Sequence, residues 1–359
     1  MLDTVGILVD RQTFKGIPSR RTGNERLSLY NKAAEELGLR LFYMSLDHLG
    51  SRSASGFIYR KKTYKLERRP IPEVTHNRVI TFSSKENGKL KQLSQASFLF
   101  NRQNRYDKYK IYKLINQNPM LRAYLPVSMP FTQEQLQSAM KNYSSLYIKP
   151  TNSSVGEGIM KLKKHKSGKW LFYWKKGSPK LLSIKKAVTT IKRHVGKLRY
   201  MIQEAIPVAT YEGRPYDIRV TVQRGSTGSW QVIGMIGRVA ATGRHVTNVA
   251  KGGKVKKVKA LFQASGFEPE QMASAIREAS LQIISYLSGK LPQLADVGLD
   301  IGVDRQGAIK LIEINGRDQR YSFKKARMRS TFYRTYETPM KYAKYILDQK
   351  ESNPLTIKG

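Results

Sequence analysis

Short apolar runs alternate with amphipathic segments in the first third of the chain. Residues 5–9 form a strand candidate, followed by a Gly/Ser/Arg-rich loop that runs to Gly23. Asn24 is placed to cap a helix whose apolar positions are Leu27, Tyr30, Ala33, Ala34 and Leu37, and Gly38 ends it. A second strand follows at residues 39–44. A strand, a helix and a strand of these lengths predict a parallel sheet. Residues 56–59 and 73–80 extend the same unit.

The pattern changes at Tyr106. A basic helix over residues 107–117 leads into a link bounded by Pro119, Pro126 and Pro130, and a helix over 133–142 follows. Next come a strand at 145–149, a loop of small residues, a hairpin-like stretch to Trp174, a helix at 184–195 and a strand at 200–204. Beyond Pro207 the chain alternates strands at 217–223, 231–239, 297–303 and 308–314, with a long helix at 268–287 between them. A helix at 335–348 and a short polar tail close it. The class is α/β, without repeats or low-complexity tracts.

Composition narrows the chemistry. The chain of 359 residues has no cysteine, which excludes disulfides, thiolate nucleophiles and zinc–thiolate sites. Its five histidines show no ligand spacing, so a metal here is held by oxygen. No run approaches the roughly 18 apolar residues of a membrane span. The opening MLDTVGILVD lacks the basic flank of a secretory signal, so a soluble protein made in the cytosol is expected. Lys+Arg 65 against Asp+Glu 26 gives a net charge of +39, unevenly spread: ten lysines and no acid lie between Lys161 and Lys186. A solvated basic surface and a polyanion partner both satisfy that field. No basic–aromatic spacing matches a nucleic-acid recognition module, so nucleic acid is not the expected partner.

Four local patterns carry candidate chemistry. In Gly298-Leu299-Asp300-Ile301-Gly302 the glycines flank an aspartate and are expected to leave its face uncrowded. In Ile312-Glu313-Ile314-Asn315 strand alternation turns Glu313 and Asn315 one way and both isoleucines the other, towards a core. Pairing of these strands through the turn at 304–307 brings three oxygen ligands together, a donor set suited to Mg²⁺ and triphosphate oxygens. The second pattern is Lys149 at the end of an apolar strand, followed by a small-residue loop that lets backbone amides approach phosphate. It is not a P-loop, since no GxxxxGK[ST] occurs. Third, Gln203-Glu204 precede a proline hinge, either a segment that can present donors and acceptors to an adenine edge and a carboxylate to a ribose, or a buried strand that ends in a turn. Fourth, Arg219 and Arg238 lie on neighbouring strand candidates, either as a clamp on a transferring phosphoryl group or as surface ion pairs.

The order of these patterns resembles the ATP-grasp superfamily. Gly6-Ile7-Leu8, Asn77-Arg78, Asp107-Lys108-Tyr109, Asp217-Ile218-Arg219, Thr247 to Gly253 and Glu313-Ile314-Asn315-Gly316 are similar to the YheC/YheD-type endospore coat-associated members. The resemblance implies an ATP-grasp fold of two α+β lobes behind an amino-terminal Rossmann-like domain. The corresponding division is 1–105 for that domain, 106–206 and 207–350 for the lobes, and 351–359 for a polar tail. It implies ATP and Mg²⁺ as cofactors. Lys108 (with Lys110 and Lys113 as alternatives) and Lys149 would contact phosphates. Ser153, Ser154, Gly156 and Gly158 would cover them, and Gln203, Glu204 and Ile206 would line the adenine–ribose site. Asp300, Glu313 and Asn315 would hold Mg²⁺, and Arg219, Arg238 and Asn248 would face the γ-phosphate and acceptor. The implied reaction joins a carboxylate to an amine through an acyl phosphate, with an acidic amino acid or peptide as a suspected substrate. Arg317 and Arg320 are further candidates to hold a carboxylate. A basic, polyanion-binding coat protein without ligase activity is the alternative. The spore coat of a spore-forming bacterium is the implied destination.

Overall fold

The computed structural model describes residues 3–153, 157–174, 177–242, 247 and 252–352. Among them the strands form three six-stranded sheets. The first is built from β1 (Thr4–Leu8), β2 (Arg40–Met44), β3 (Ser53–Arg60), β4 (Thr63–Pro70), β5 (Val74–Asn77) and β6 (Phe98–Phe100), in the order β4-β3-β2-β1-β5-β6. β1 pairs in parallel with β2 and β5, as the strand–helix–strand pattern predicts, and β5 with β6. β3 and β4 extend the sheet as an antiparallel hairpin. Its helices are α1 (Arg11–Gly16), α2 (Leu27–Glu36) and α3 (Ser84–Ala96).

Two of these helices depart from the sequence reading. α1 lies inside the expected loop, and the Asp10 side chain caps it by accepting from Thr13 N at 2.9 Å. α2 begins after Arg26 rather than at Asn24. The turn from Thr22 to Glu25 is closed by Thr22 Oγ1 on Glu25 O at 2.6 Å, which carries the chain past Asn24 before the helix starts.

The second sheet follows α4 (Lys108–Asn116). It contains β7 (Ser128–Pro130), β8 (Ser145–Pro150), β9 (Met160–Lys164), β10 (Trp170–Trp174), β11 (Lys180–Leu182) and β12 (Tyr200–Glu204), in the order β11-β10-β9-β8-β12-β7. α5 (Gln133–Asn142) and α6 (Ile184–Val195) cover one face, where Leu136, Ile148, Leu162, Trp170, Ile191 and Ile202 share a core. The other face carries Tyr147, Lys149 and Gln203, which line a cavity.

The third sheet runs β16-β15-β14-β17-β18, with β13 on the edge of β14. Its strands are β13 (Thr210–Tyr211), β14 (Arg214–Arg224), β15 (Trp230–Val239), β16 (Lys254–Lys256), β17 (Asp296–Val303) and β18 (Ile309–Asn315). α7 (Val258–Ala264) and α8 (Pro269–Ser288) pack on it from one side. After α9 (Tyr321–Lys325), α10 (Arg329–Ser352) lies against both α2 and β14. Phe332, Tyr336 and Met340 of α10 thereby join Val5, Tyr30 and Ala34 of the first unit to Ile236 of the third sheet in one core.

Candidate active site

β17 and β18 pair with Asp300 opposite Glu313 and Gly298 opposite Asn315, so all three oxygen-bearing side chains share a face. The pairing then slips, and Ile301 opposes Leu311. This β-bulge overrides simple alternation. Ile314 is buried in the core, whereas Ile312 is half-buried and lines the cavity with Glu313, against the expectation that both isoleucines face inward. Gly302 leaves room for it, since a Cβ there would lie 3.3 Å from both Ile312 Cδ1 and Val208 Cγ1.

The face of Asp300 is not open either. A Cβ at Gly298 would lie 2.5 Å from Asp318 Oδ1 and 3.1 Å from Arg219 Cδ, so glycine here makes space for an ion pair. Arg219, directly across from Asp300 on β14, places Nε 2.6 Å from Asp300 Oδ1 and NH1 2.8 Å from Asp318 Oδ1. Thr221 Oγ1 donates to Asp318 Oδ2. Arg238, opposite Asp217, bonds both oxygens of that carboxylate at 2.6 and 2.8 Å and reaches Asp300 Oδ2 at 2.9 Å. Burial opposes the charge on Asp300, but the Arg219 and Arg238 guanidinium groups outweigh it and hold the carboxyl below its ordinary value. The two arginines are thus neither bare clamps nor surface pairs; Arg219 is buried, Arg238 largely so, and they share Asp300.

From the second sheet, Lys149 Nζ donates to Gln203 Oε1 at 2.6 Å, and Gln203 Nε2 donates to Ser128 Oγ at 3.0 Å. The Gln203 side chain is therefore spent on orienting the lysine. Burial pushes Lys149 down to about 8; Lys108 adds to the shift, while Glu313 and Asp300 oppose it. Lys108, at the start of α4, sits 3.3 Å from Glu313 Oε1 and donates to Ser153 O at 2.6 Å. That geometry separates it from Lys110 and Lys113, which are exposed. Glu204 Oε1 accepts from Val127 N at 2.9 Å, and Ile206 lines the cavity. Gly158 has φ +73°, and a Cβ there would lie 2.7 Å from Pro150 Cγ, so the loop after β8 turns where only glycine fits. Ser154, Gly156 and Asn248 lie outside the described residues. Thr247, which precedes Asn248, donates its hydroxyl to Asp217.

These groups surround one cavity of about 310 Å³ between the second and third sheets, within the size range of small-molecule sites. It is lined by Lys108, Lys149, Gln203, Glu204, Ile206, Arg219, Arg238, Asp300, Glu313 and Asn315, together with Ile80 of the first unit and Arg317 and Tyr321 after β18. Arg320 is not on this wall. It is buried, bonded to Asp296 Oδ2 at 2.5 Å and Tyr30 OH at 2.8 Å, so it is not presented to a ligand. Sequence reasoning missed Asp318, the one acid in the basic stretch 317–334. Its isolation in that tract is the signal that finds it.

No group of three or more His, Cys, Asp or Glu side chains gathers as a metal cage among the described residues. Two carboxylates and an amide, with Asn315 using Nδ2 on Gly298 O at 3.4 Å, form a partial oxygen set. Such a set fits Mg²⁺, which keeps waters and takes phosphate oxygens, better than a metal that needs an all-protein shell.

Comparison with known proteins bears on the family and the fold. The model of the YheC/D like ATP-grasp family matches residues 97–346. Endospore coat-associated protein YheD of Bacillus subtilis (strain 168) is 20% identical over 312 residues, covering 83% of this chain and 68% of that protein. Among solved structures, D-alanyl-alanine synthetase A from Vibrio cholerae O1 biovar eltor superposes with a TM-score of 0.56 at 10% identity, covering 98% of both chains. The macrocyclase MdnC of Microcystis aeruginosa MRC, bound with its precursor peptide MdnA, gives 0.54 at 12% identity over 96% of this chain and 98% of its own. With its fold and most of its length matched in this way, the chain belongs to the YheC/D-like ATP-grasp family.

Proposed function

We propose that this protein is an ATP-dependent carboxylate–amine ligase. The observation that carries the reading is the convergence of Lys149, the Arg219–Asp300–Arg238 cluster and Glu313–Asn315 on one cavity. The ligases among its fold relatives support the reaction class, and the peptide-bound macrocyclase supports a peptide as one substrate. The division that goes with this reading is an amino-terminal domain over 1–105, ATP-grasp lobes over 106–206 and 207–350, and a tail over 351–359.

In the proposed reaction, an oxygen of the substrate carboxylate attacks the γ-phosphorus of ATP. The bond from that phosphorus to the bridging oxygen breaks, and ADP leaves with the electron pair. The amine nitrogen then attacks the acyl-phosphate carbon, phosphate departs, and the nitrogen loses a proton to leave an amide. Lys108 and Lys149 bind the phosphates, and Gln203 holds Lys149 in place. Glu204, Ile206 and Ile312 shape the end that takes the nucleoside. Arg219 and Arg238 stabilise charge on the transferred group, joined by Asn248. Asp300, Glu313 and Asn315 would hold Mg²⁺, which when bound offsets the triphosphate charge and polarises the γ-phosphoryl group. The acceptor is an acidic amino acid or peptide, steered by the basic surface. Kinship with coat-associated proteins supports the spore coat as the place of action. The presence of Asp300, Glu313 and Asn315 together argues against a coat protein that has abandoned catalysis.

The test is phosphate release and product mass from Mg-ATP with pooled amino acids and short acidic peptides. ADP together with a product one water lighter than its two parts is the expected result. Lys149→Ala and Glu313→Gln should each lower kcat by about 100-fold or more; undiminished turnover in both would overturn the site.

A further inference from the structure

Residues 161–199 contain 14 Lys and Arg and neither Asp nor Glu. The fold gathers this stretch at one end of the second sheet: β9, β10 and β11 are its outer strands, and α6 covers them. Lys185 and Lys192, like Lys186 and Arg193, stand seven residues apart on α6, which sets four exposed cations on a single face. Lys166 and Lys169 add two more at the exposed β9–β10 turn. Among the described residues, no Lys or Arg of this stretch forms an ion pair, and every ion pair lies elsewhere. Glu134 on the neighbouring α5 lies within electrostatic reach of Lys192 but forms no ion pair with it, and like charge massed with so little counter-charge destabilises a fold through self-repulsion. Lysine on the edge strand β11 guards against stray strand pairing, but that does not account for α6.

We propose that this end of the second sheet, centred on α6, is a docking surface for an acidic polypeptide segment. Three observations favour a polypeptide over nucleic acid. Twelve of the 14 cations are lysines, which act as hydrated point charges rather than as the planar forks that read phosphates and bases. The large apolar side chains exposed here, Leu181, Ile184 and Leu198, are aliphatic, which suits side-chain contacts and offers no platform for stacking bases. Trp174, an aromatic ring of this region, packs edge-on against His194 of α6 at 5.0 Å between centroids.

α6 lies on the face of the second sheet opposite the cavity, and the link between the two runs through β9. Lys161 lies opposite Tyr147, and Tyr147 opposite Gln203, so the basic strand β9 is one strand removed from the cavity-lining β8. Resting on the ligase reading, this makes the docked chain the carrier of the carboxylate or amine to be joined.

The test is fluorescence anisotropy with labelled poly-L-glutamate and labelled oligothymidylate, from about 50 mM to about 300 mM salt. Wild type is compared with K185E/K186E/K192E/R193E and with K85E/K91E/K257E/K259E, which alters net charge equally on other surfaces. ATP binding by calorimetry, retained in both variants, shows that they fold. The docking surface requires poly-L-glutamate binding that falls about tenfold or more in the α6 variant and little in the other. Equal loss in both variants would reduce the effect to overall charge and overturn the surface. Oligothymidylate binding as tight as poly-L-glutamate, or no poly-L-glutamate binding by wild type, would overturn the choice of partner. These binding results stand apart from ATP turnover, whose failure would sink the ligase reading alone.

Discussion

Lys149 is a cation stripped of water, with Gln203 as its hydrogen-bonded neighbour, and burial leaves it near pH 8. A bound triphosphate favours the charged form and raises that value, so nucleotide binding takes up a proton once the free lysine has begun to lose it. ATP affinity should therefore be flat below about pH 8 and fall as pH rises above it. Calorimetry in buffers of different ionisation heat should show proton uptake at pH 8.5–9 that disappears in Lys149→Met. Lys149, Asp300 and Glu313 were legible in the sequence because each sits in a local strand motif. Asp318 stands out there only as the lone acid of a basic tract; its role was not legible, because its partner Arg219 lies 99 residues away and only the folded sheet brings the two together.

Strand ends hold the site in place at the next scale. Asn101, buried and at φ 57°, spends its carboxamide on four backbone groups: Ala295 N, Asp296 N, Asp296 O and Gly316 O. It pins the start of β17 to the end of β18, the strands that carry Asp300, Glu313 and Asn315. Asn101→Ala removes those bonds and places alanine in a left-handed conformation, so chemical denaturation should show a loss of about 3 kcal/mol or more. Elements were read from sequence where propensity and burial agree: α5, α6 and β12 keep their predicted ends, α5 and α6 behind the caps Thr132 and Ser183. α3 was missed because Leu90 and Leu93 are its buried residues in an otherwise polar run. Its start is nonetheless written in Ser83 and Glu86, which form a reciprocal capping box. The bulge that turns Ile312 towards the cavity had no local signal, since register is decided between strands.

Across the whole molecule, buried charge joins the first unit to the third sheet. Arg78 bonds Glu25 at 2.8 Å and Asp318 O at 2.8 Å, and Asp296 takes Arg320 at 2.5 Å and Gln223 at 2.8 Å. Burial opposes the charge on Glu25, yet Arg78, Arg320 and Arg317 bring its carboxyl down to about 2. His76, 3.2 Å from Asp296, is kept neutral by burial, down to about 4. Both shifts act in the same direction. The unfolded chain takes up His76's proton below about 6.5 and Glu25's below about 4.5, while the folded chain resists until about 4 and about 2. The contribution of these two groups to stability should thus be complete above about pH 6.5 and decline as pH falls towards 2, with Glu25→Gln flattening the acid limb below 4.5 in a thermal-unfolding series. Net charge foretold a basic surface but not its division, in which paired arginines lie inside and, among the described residues, lysines without ion pairs crowd one end.

The shared core under α10 has a consequence for how the chain is made. Tyr30 and Ala34 are covered by Phe332, Tyr336 and Met340, which follow them by some 300 positions and so leave the ribosome much later. The first sheet cannot seal its apolar face before then, and its parallel strands wait on contacts some 300 positions away in sequence. The first sheet is therefore sealed only after α10 has emerged: a nascent chain arrested before Arg329 should remain protease-sensitive throughout its first hundred or so residues, and emergence of α10 should remove that sensitivity.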